Sequence, residues 1–374
     1  MRTLLLSVNA LRWLESLLSG ARSLNAVMLS TVREAPLYER LKQGRVRCLV
    51  CERRCVIEEG GKGFCKTRMN IGGKLYTLVY GDLSAVESRP IEIKPFFHFW
   101  PGSTALTFST WSCNFTCPWC QNWHLSRAEP DPARANYVPP ERLVELAAQR
   151  DEGVCVSFNE PLMLFEYSLD VFRLARAKGL YCTYVSNGYM TLEALRMLRE
   201  SGLDGLKIDV KGGREEYRLY NSADAEVVWR NAREAKKMGM HVEIVYLVVT
   251  GATDKEEVIE ECVERHVKEL GPDTPIHFTR YFPAYLYHEP STPVEKLEWC
   301  YERARKIGAR FPYIGNVPGH RYENTYCPEC GELLIKRFGP RVLKYRVTES
   351  KRCPRCGAEI PIVGRYVRKA VWFF

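Results

Sequence analysis

From Thr104 onward the chain alternates short apolar runs with longer stretches in which apolar residues recur at spacings of three and four. The first pattern predicts strands and the second amphipathic helices. Predicted strands are Ala105–Trp111, Val154–Phe158, Tyr181–Ser186, Gly205–Val210, Val242–Val249, Ile276–Tyr281 and Tyr313–Val317. Predicted helices lie near Glu141–Gln149, Leu162–Lys178, Leu192–Arg199, Ala225–Met238, Lys255–Leu270 and Val294–Ile307. Pro139 and Pro140 suit a first helical turn, and Gly179 and Gly239 suit helix ends. This is a β/α repeat, expected to fold as a partial (β/α)6 TIM-like barrel over residues 104–320.

The flanks read differently. Residues 1–33 form an extension in which Leu11, Leu14, Leu17 and Leu18 make a helical stripe, so a helix is expected there. Residues 34–103 are poor in periodic apolar positions and rich in Cys, Gly and Pro, with one helical piece predicted over Ala35–Gln43. The segment Pro90-Ile-Glu-Ile-Lys-Pro-Phe-Phe-His98 reads as a fixed crossing, with His98 packed and Lys94 solvated. Residues 321–374 form a small terminal domain with strands over Leu333–Phe338 and Leu343–Val347.

Cysteine usage sharpens this picture. Of 15 cysteines in 374 residues, most fall in compact groups, a pattern of metal sites in a reducing compartment, so a cytoplasmic location is expected. Cys48, Cys51, Cys55 and Cys65 surround a Gly-rich stretch and predict a closed site for zinc or an iron–sulfur cluster. Cys327, Cys330, Cys353 and Cys356 form two knuckles of a zinc ribbon, a site that iron also fits. Cys155, Cys182, Cys262 and Cys300 lie on predicted strands or helices and are expected in the core. Between these groups, Cys113, Cys117 and Cys120 bring three thiols into one turn after the first predicted strand. Three ligands can hold a four-iron, four-sulfur cluster and leave one iron open.

Polar residues gather where the predicted strands end: Asn159 and Glu160, Ser186 and Asn187, Asp209 and Lys211, then Thr250 to Asp254, with His277 and Arg280 on the sixth strand. In parallel β/α folds that end carries the reactive groups. The excess of 54 basic over 45 acidic residues, a net charge of +9, is spread along helices and predicts a solvated surface with no nucleic-acid partner. No apolar run is long enough to span a bilayer.

With CNFTCPWC placed after the first strand, the sequence resembles radical S-adenosylmethionine (SAM) enzymes. The stretches PIEIKPFFHFWPGS, CNFTCPWCQNWHLS, FNEP, SNGY, DVKGG, CPEC and CPRC, with Cys48 to Cys65, Arg68 and Asn70, resemble more closely the radical enzyme of the AmmeMemoRadiSam system, long related to pyruvate formate-lyase activating enzymes. Ile93 departs from the lysine usual in that family, and residues 1–27 lie before its usual start. The resemblance implies that Cys113, Cys117 and Cys120 ligate the cluster whose open iron holds SAM, and that Trp119 lies against its adenine. It places Asn159 and Glu160 at the methionine ammonium, Ser186 and Asn187 at ribose or carboxylate, Asp209 and Lys211 on the cosubstrate, and His277 near adenine. The implied activity is reductive SAM cleavage and hydrogen abstraction from an unidentified substrate. A ferredoxin or flavodoxin donor and Memo-like and AMMECR-like partners are implied with it. A glycyl-radical activase and a zinc-binding scaffold without catalysis stand as alternatives.

Overall fold

A computed structural model describes residues 29–369, so residues 1–28 of the extension expected to be helical over 1–33 lie outside the described residues. Eight strands form the central sheet in strict chain order: Ala85–Pro90, Thr104–Ser109, Gly153–Val156, Tyr181–Ser186, Gly205–Val210, His241–Val248, Ile276–Arg280 and Pro312–Gly315. The first pairs antiparallel with the second, and the other seven run parallel. Every strand predicted from the apolar runs is present. Their residues are buried because helices cover the sheet, which explains the nearly continuous apolar pattern.

Crossover helices span Pro140–Ala148, Phe165–Ala177, Leu192–Ser201, Ala225–Lys237, Glu256–Leu270 and Val294–Ile307. Their ends follow local chemistry. Pro140 occupies a first turn, the Thr191 hydroxyl accepts the Ala194 amide at 3.1 Å, and Asp224 accepts the Glu226 amide at 2.9 Å. An additional helix, Arg214–Asn221, is missing from the sequence reading because only Tyr217 and Glu216 face inward before Asn221 ends it.

The predicted helix over Ala35–Gln43 is instead a strand, Tyr38–Arg40, and a single turn of 3-10 helix. Gln43 and Gly44 both adopt left-handed backbone angles, which reverse the chain so that Tyr38 pairs with Cys48. Residues 33 and 34 are likewise a strand, paired with Lys74–Thr77. Two three-stranded sheets thus build the N-terminal part, and a third, containing Leu333–Phe338, builds the C-terminal part.

The crossing segment is packed between sheet and C-terminal part. Arg337, fully buried, donates to the Phe97 carbonyl at 2.9 Å and lies 4.1 Å from the Phe97 ring centre. His98 is buried as expected, with Nε2 2.6 Å from the Tyr313 hydroxyl. Lys94 is a correction: it is only 6% exposed and sits over the Phe158 ring, because Ile91–Ile93 forms a short helix that turns it inward. Cys155, Cys182, Cys262 and Cys300 are core residues, as expected.

Candidate active site

The strand Thr104–Ser109 delivers the chain to Ser112, whose left-handed backbone (φ 70°) turns it into the cysteine segment. The Cys113 sulfur accepts the Phe115 amide at 3.4 Å, the Cys117 thiol donates to Asn221 Oδ1 at 3.0 Å, and the Cys120 thiol donates to Ser126 at 3.5 Å. Burial, reinforced by nearby Glu160, pushes the Cys113 thiol up to about 12. Burial also raises Cys117, against the pull of the Lys211 ammonium. Such thiols stay protonated until a metal replaces the proton. Two buried amide nitrogens beside them, Nδ2 of Asn114 and of Asn221, have no hydrogen-bond partner.

The neighbouring strand ends converge on this turn. Asn159 Nδ2 donates to the Ser112 carbonyl at 2.7 Å. Glu160 accepts the Ser186 hydroxyl and the Asn187 amide, each at 2.8 Å, and the Leu162 amide at 3.3 Å. Burial raises its carboxyl to about 7 despite these donors. Asn187 Nδ2 donates to Asn114 Oδ1 at 2.7 Å, which ties the third parallel strand to the cysteine turn. Asn114 is absent from the sequence-based site, although it lies inside the motif; its buried amide is the signal that the sequence hides.

A family model of the radical SAM superfamily matches residues 109–263. Over 336 residues, 89% of this chain and 100% of that relative, the chain is 40% identical to the uncharacterized protein MJ0808 of Methanocaldococcus jannaschii. The chain carries a radical SAM superfamily domain and belongs to one family with that archaeal protein. Among solved structures, a domain of a pyruvate-formate lyase-activating enzyme from Bacteroides vulgatus matches 44% of this chain and 99% of its own, at 18% identity and a TM-score of 0.38. A radical SAM methyltransferase from Sphaerobacter thermophilus matches 79% of this chain and 80% of its own, at 13% identity and a TM-score of 0.46.

A radical SAM domain implies a 4Fe–4S cluster and SAM. The turn fits them: three thiols lie in one segment, and two of them touch the amide oxygens of Asn114 and Asn221, whose buried nitrogens have no partner. Trp119 is buried edge-on against Tyr220 and Tyr287, at ring distances of 4.8 and 5.5 Å. The segment after strand Ile276–Arg280 covers the turn: the Leu286 amide donates to the Pro118 carbonyl at 3.0 Å, and Tyr285 stacks on Trp123 at 5.4 Å.

Other expected residues of the radical SAM site are placed less simply. Asp209 contacts Lys207, its same-face neighbour on the strand, while Lys211 lies past the strand end. Burial works against charge on Asp209, yet Lys207 and Lys211 together hold its carboxyl below the ordinary range. Burial likewise opposes charge on Lys211, and Asp209 with Cys117 outweighs it, so its ammonium is held above the ordinary range. His277 Nε2 lies 2.7 Å from Glu243, and its ring stacks on Tyr313. Glu243 also accepts the Phe97 and His98 amides, at 3.0 and 2.8 Å. The sequence pattern shows Glu243 only as a polar interruption in a buried strand.

The ribbon cysteines are drawn tightly together. Cys327 and Cys356 sulfurs are 3.6 Å apart, Cys330 and Cys353 are 3.7 Å apart, and all four lie within 4.8 Å of one another. Metal–sulfur bonds of about 2.3 Å give a tetrahedron with edges of about 3.8 Å, so this quartet fits a single ion. Cys48, Cys51, Cys55 and Cys65 line one pocket with Arg53, Arg68, Asn114 and Met163. Among the described residues, no helix is long and apolar enough to cross a membrane.

Proposed function

We propose that this protein is a radical SAM enzyme whose partial barrel holds a 4Fe–4S cluster on Cys113, Cys117 and Cys120. The observation that carries the reading is the Asn187–Asn114 hydrogen bond, which joins Glu160, Ser186 and Asn187 to the three-thiol turn. Bound there, the cluster and SAM supply one-electron cleavage of a carbon–sulfur bond and a 5'-deoxyadenosyl radical that takes hydrogen from the substrate. Glu160 orients the methionine ammonium through a charge-assisted contact, and Asn159 holds its loop against the turn. Ser186 and Asn187 fix Glu160 and face the ribose and carboxylate. Trp119 offers its indole to adenine. Lys211 and Asp209 balance charge near Cys117, while His277 positions the inner wall through Glu243. The loop that carries Tyr285, Leu286 and Tyr287 excludes water from the turn.

In this reading the enzyme is oxidoreductase-like and cytoplasmic, takes electrons from ferredoxin or flavodoxin, and carries zinc in its ribbon. Likeness of the quoted motifs supports membership of the AmmeMemoRadiSam system, with Memo-like and AMMECR-like partners. A second reading, activation of a partner protein's glycyl radical, is favoured by the exposed apolar side chains of Trp123, Phe282 and Leu286 beside the turn. Anaerobic reconstitution followed by reduction tests the proposal: brown protein and 5'-deoxyadenosine are expected. A colourless protein that carries only zinc and leaves SAM intact would overturn it. Deuterated candidate substrates, read as deuterium in the recovered 5'-deoxyadenosine, would then identify the hydrogen donor.

A further inference from the structure

The N-terminal four-cysteine group differs from the ribbon quartet in a way that bears on its occupant. Among the described residues, the ribbon is the one group of ligating atoms that all lie within 4.8 Å of one another. Cys48, Cys51, Cys55 and Cys65 share one pocket but do not form such a group. A mononuclear ion needs its thiolates on tetrahedral edges of about 3.8 Å. A cubane cluster puts a different iron behind each thiolate and spreads the sulfurs apart. None of the four is in a disulfide.

The surroundings suit such a cluster. The Phe64 amide donates to the Cys55 sulfur at 3.4 Å, and the Thr67 hydroxyl lies 3.1 Å from the Cys65 sulfur. Arg68, 2% exposed, adds positive charge beside Cys48 and Cys65. Asn114, fully buried, lines the same pocket, and its Nδ2 has no partner, so an unused donor stands at the wall. The pocket is also locked to the Cys113 turn. Arg53, between Cys51 and Cys55, donates to the carbonyls of Asn114 at 2.9 Å, Asn221 at 2.5 Å and Ser222 at 3.0 Å. Asn114 therefore touches both cysteine groups: it lines one and is covalently joined to Cys113 of the other.

We propose that Cys48, Cys51, Cys55 and Cys65 hold a second iron–sulfur cluster that passes single electrons across Asn114 to the cluster at Cys113, Cys117 and Cys120. An external one-electron donor of the ferredoxin type reduces the N-terminal cluster; that cluster is reoxidised as the central one is reduced, with no bond made or broken. The transfer step rests on the radical SAM reading, but the site itself does not.

The test compares full-length wild type, the variant with Cys113, Cys117 and Cys120 all changed to Ala, and the variant with Cys51 and Cys55 changed to Ser, each reconstituted anaerobically. The triple variant should keep about four irons and four sulfides and show a reduced-cluster EPR signal. One zinc per chain in the ribbon reports that each variant is folded. Zinc in place of iron at the N-terminal group in the triple variant would overturn the site. Loss of SAM cleavage by wild type while the triple variant keeps its iron would sink the central reading alone. For the transfer step, the fully reduced wild type should give an EPR spectrum broadened relative to the sum of the two variants. A strictly additive spectrum would overturn the relay.

Discussion

Arg53 donates through Nε to the backbone carbonyl of Asn114, 2.9 Å away, and so clamps the N-terminal cysteine loop onto the turn that begins at Cys113. Its other nitrogens reach the last residues of helix Arg214–Asn221, and its guanidinium lies 4.1 Å from the Phe64 ring centre. Three charge-assisted bonds from one planar group cannot be reproduced by an ammonium. Arg53→Lys is therefore expected to lower stability by about 2 kcal/mol, and Arg53→Ala by about 3 kcal/mol. Chemical denaturation of the two variants checks the order. Equal stability of both with wild type would remove the clamp from the account.

The proposed pairing of Glu160 with the methionine ammonium makes SAM binding depend on pH. Burial raises its carboxyl to about 7, so the free protein carries this group protonated in mild acid. An ammonium partner selects the carboxylate, so affinity for SAM rises with pH through this value. Lowering the pH from about 8 to about 6 should weaken binding about tenfold and be accompanied by proton uptake on release. The sign for stability is opposite. Between the ordinary carboxyl range and about 7 the folded chain holds a proton that the unfolded chain has lost, so the free protein loses stability as pH rises through that window. Glu160→Gln should flatten both dependences; calorimetry in buffers of different ionisation enthalpy and melting curves across pH read them out.

Arg68 and Glu166 form a buried ion pair, 3% and 7% exposed, with a second contact of 3.0 Å and a further bond from Arg68 to the Leu162 carbonyl. The pair links the N-terminal sheet to helix Phe165–Ala177, just behind Glu160. Removing one partner leaves the other charge without compensation. Arg68→Met or Glu166→Met alone should cost about 3–5 kcal/mol, and the double Met variant less than either. A double variant at least as unstable as the worse single would count against burial as the cause.

Much of the sheet was legible because its parallel strands are largely buried and alternate with helices of clear period, as Gly205–Val210 and Val294–Ile307 illustrate. The turn at Cys113 was legible for a chemical reason: three thiols at that spacing have few other uses. What was hidden depends on partners far apart in sequence. Asp209 reads as the partner of Lys211 alone, yet Lys207, on the same face of the strand, contacts it as well. His277 reads as a site residue, and nothing local announces that Glu243 holds its ring. Lys94 reads as a solvated charge because nothing local announces Phe158, and nothing local announces the Asn114 carbonyl that meets Arg53. The segment Tyr38–Arg40 lies within the helix predicted over Ala35–Gln43, whereas tertiary pairing with Val46–Cys48 makes it a strand.

The ribbon gives the last prediction. Its own apolar cluster consists of Cys327, Leu334, Ile335, Val347, Cys353, Ile360 and Ile362, too few side chains to fold a segment of this size by burial alone. A metal ion on the four sulfurs would supply the remainder. The ribbon is nevertheless fastened to the sheet by Arg337 at the Phe97 carbonyl and by the Val363 amide at the His98 carbonyl, 2.8 Å away. Metal removal should therefore loosen residues 327–360 first and the crossing segment at Phe97 and His98 second, while the turn at Cys113 is unaffected. Hydrogen exchange before and after treatment of the reconstituted protein with a zinc chelator reads that order. Protection lost at once across the whole sheet would show that the ribbon is not a separate unit of stability; protection unchanged everywhere would show that the quartet needs no ion to hold its shape.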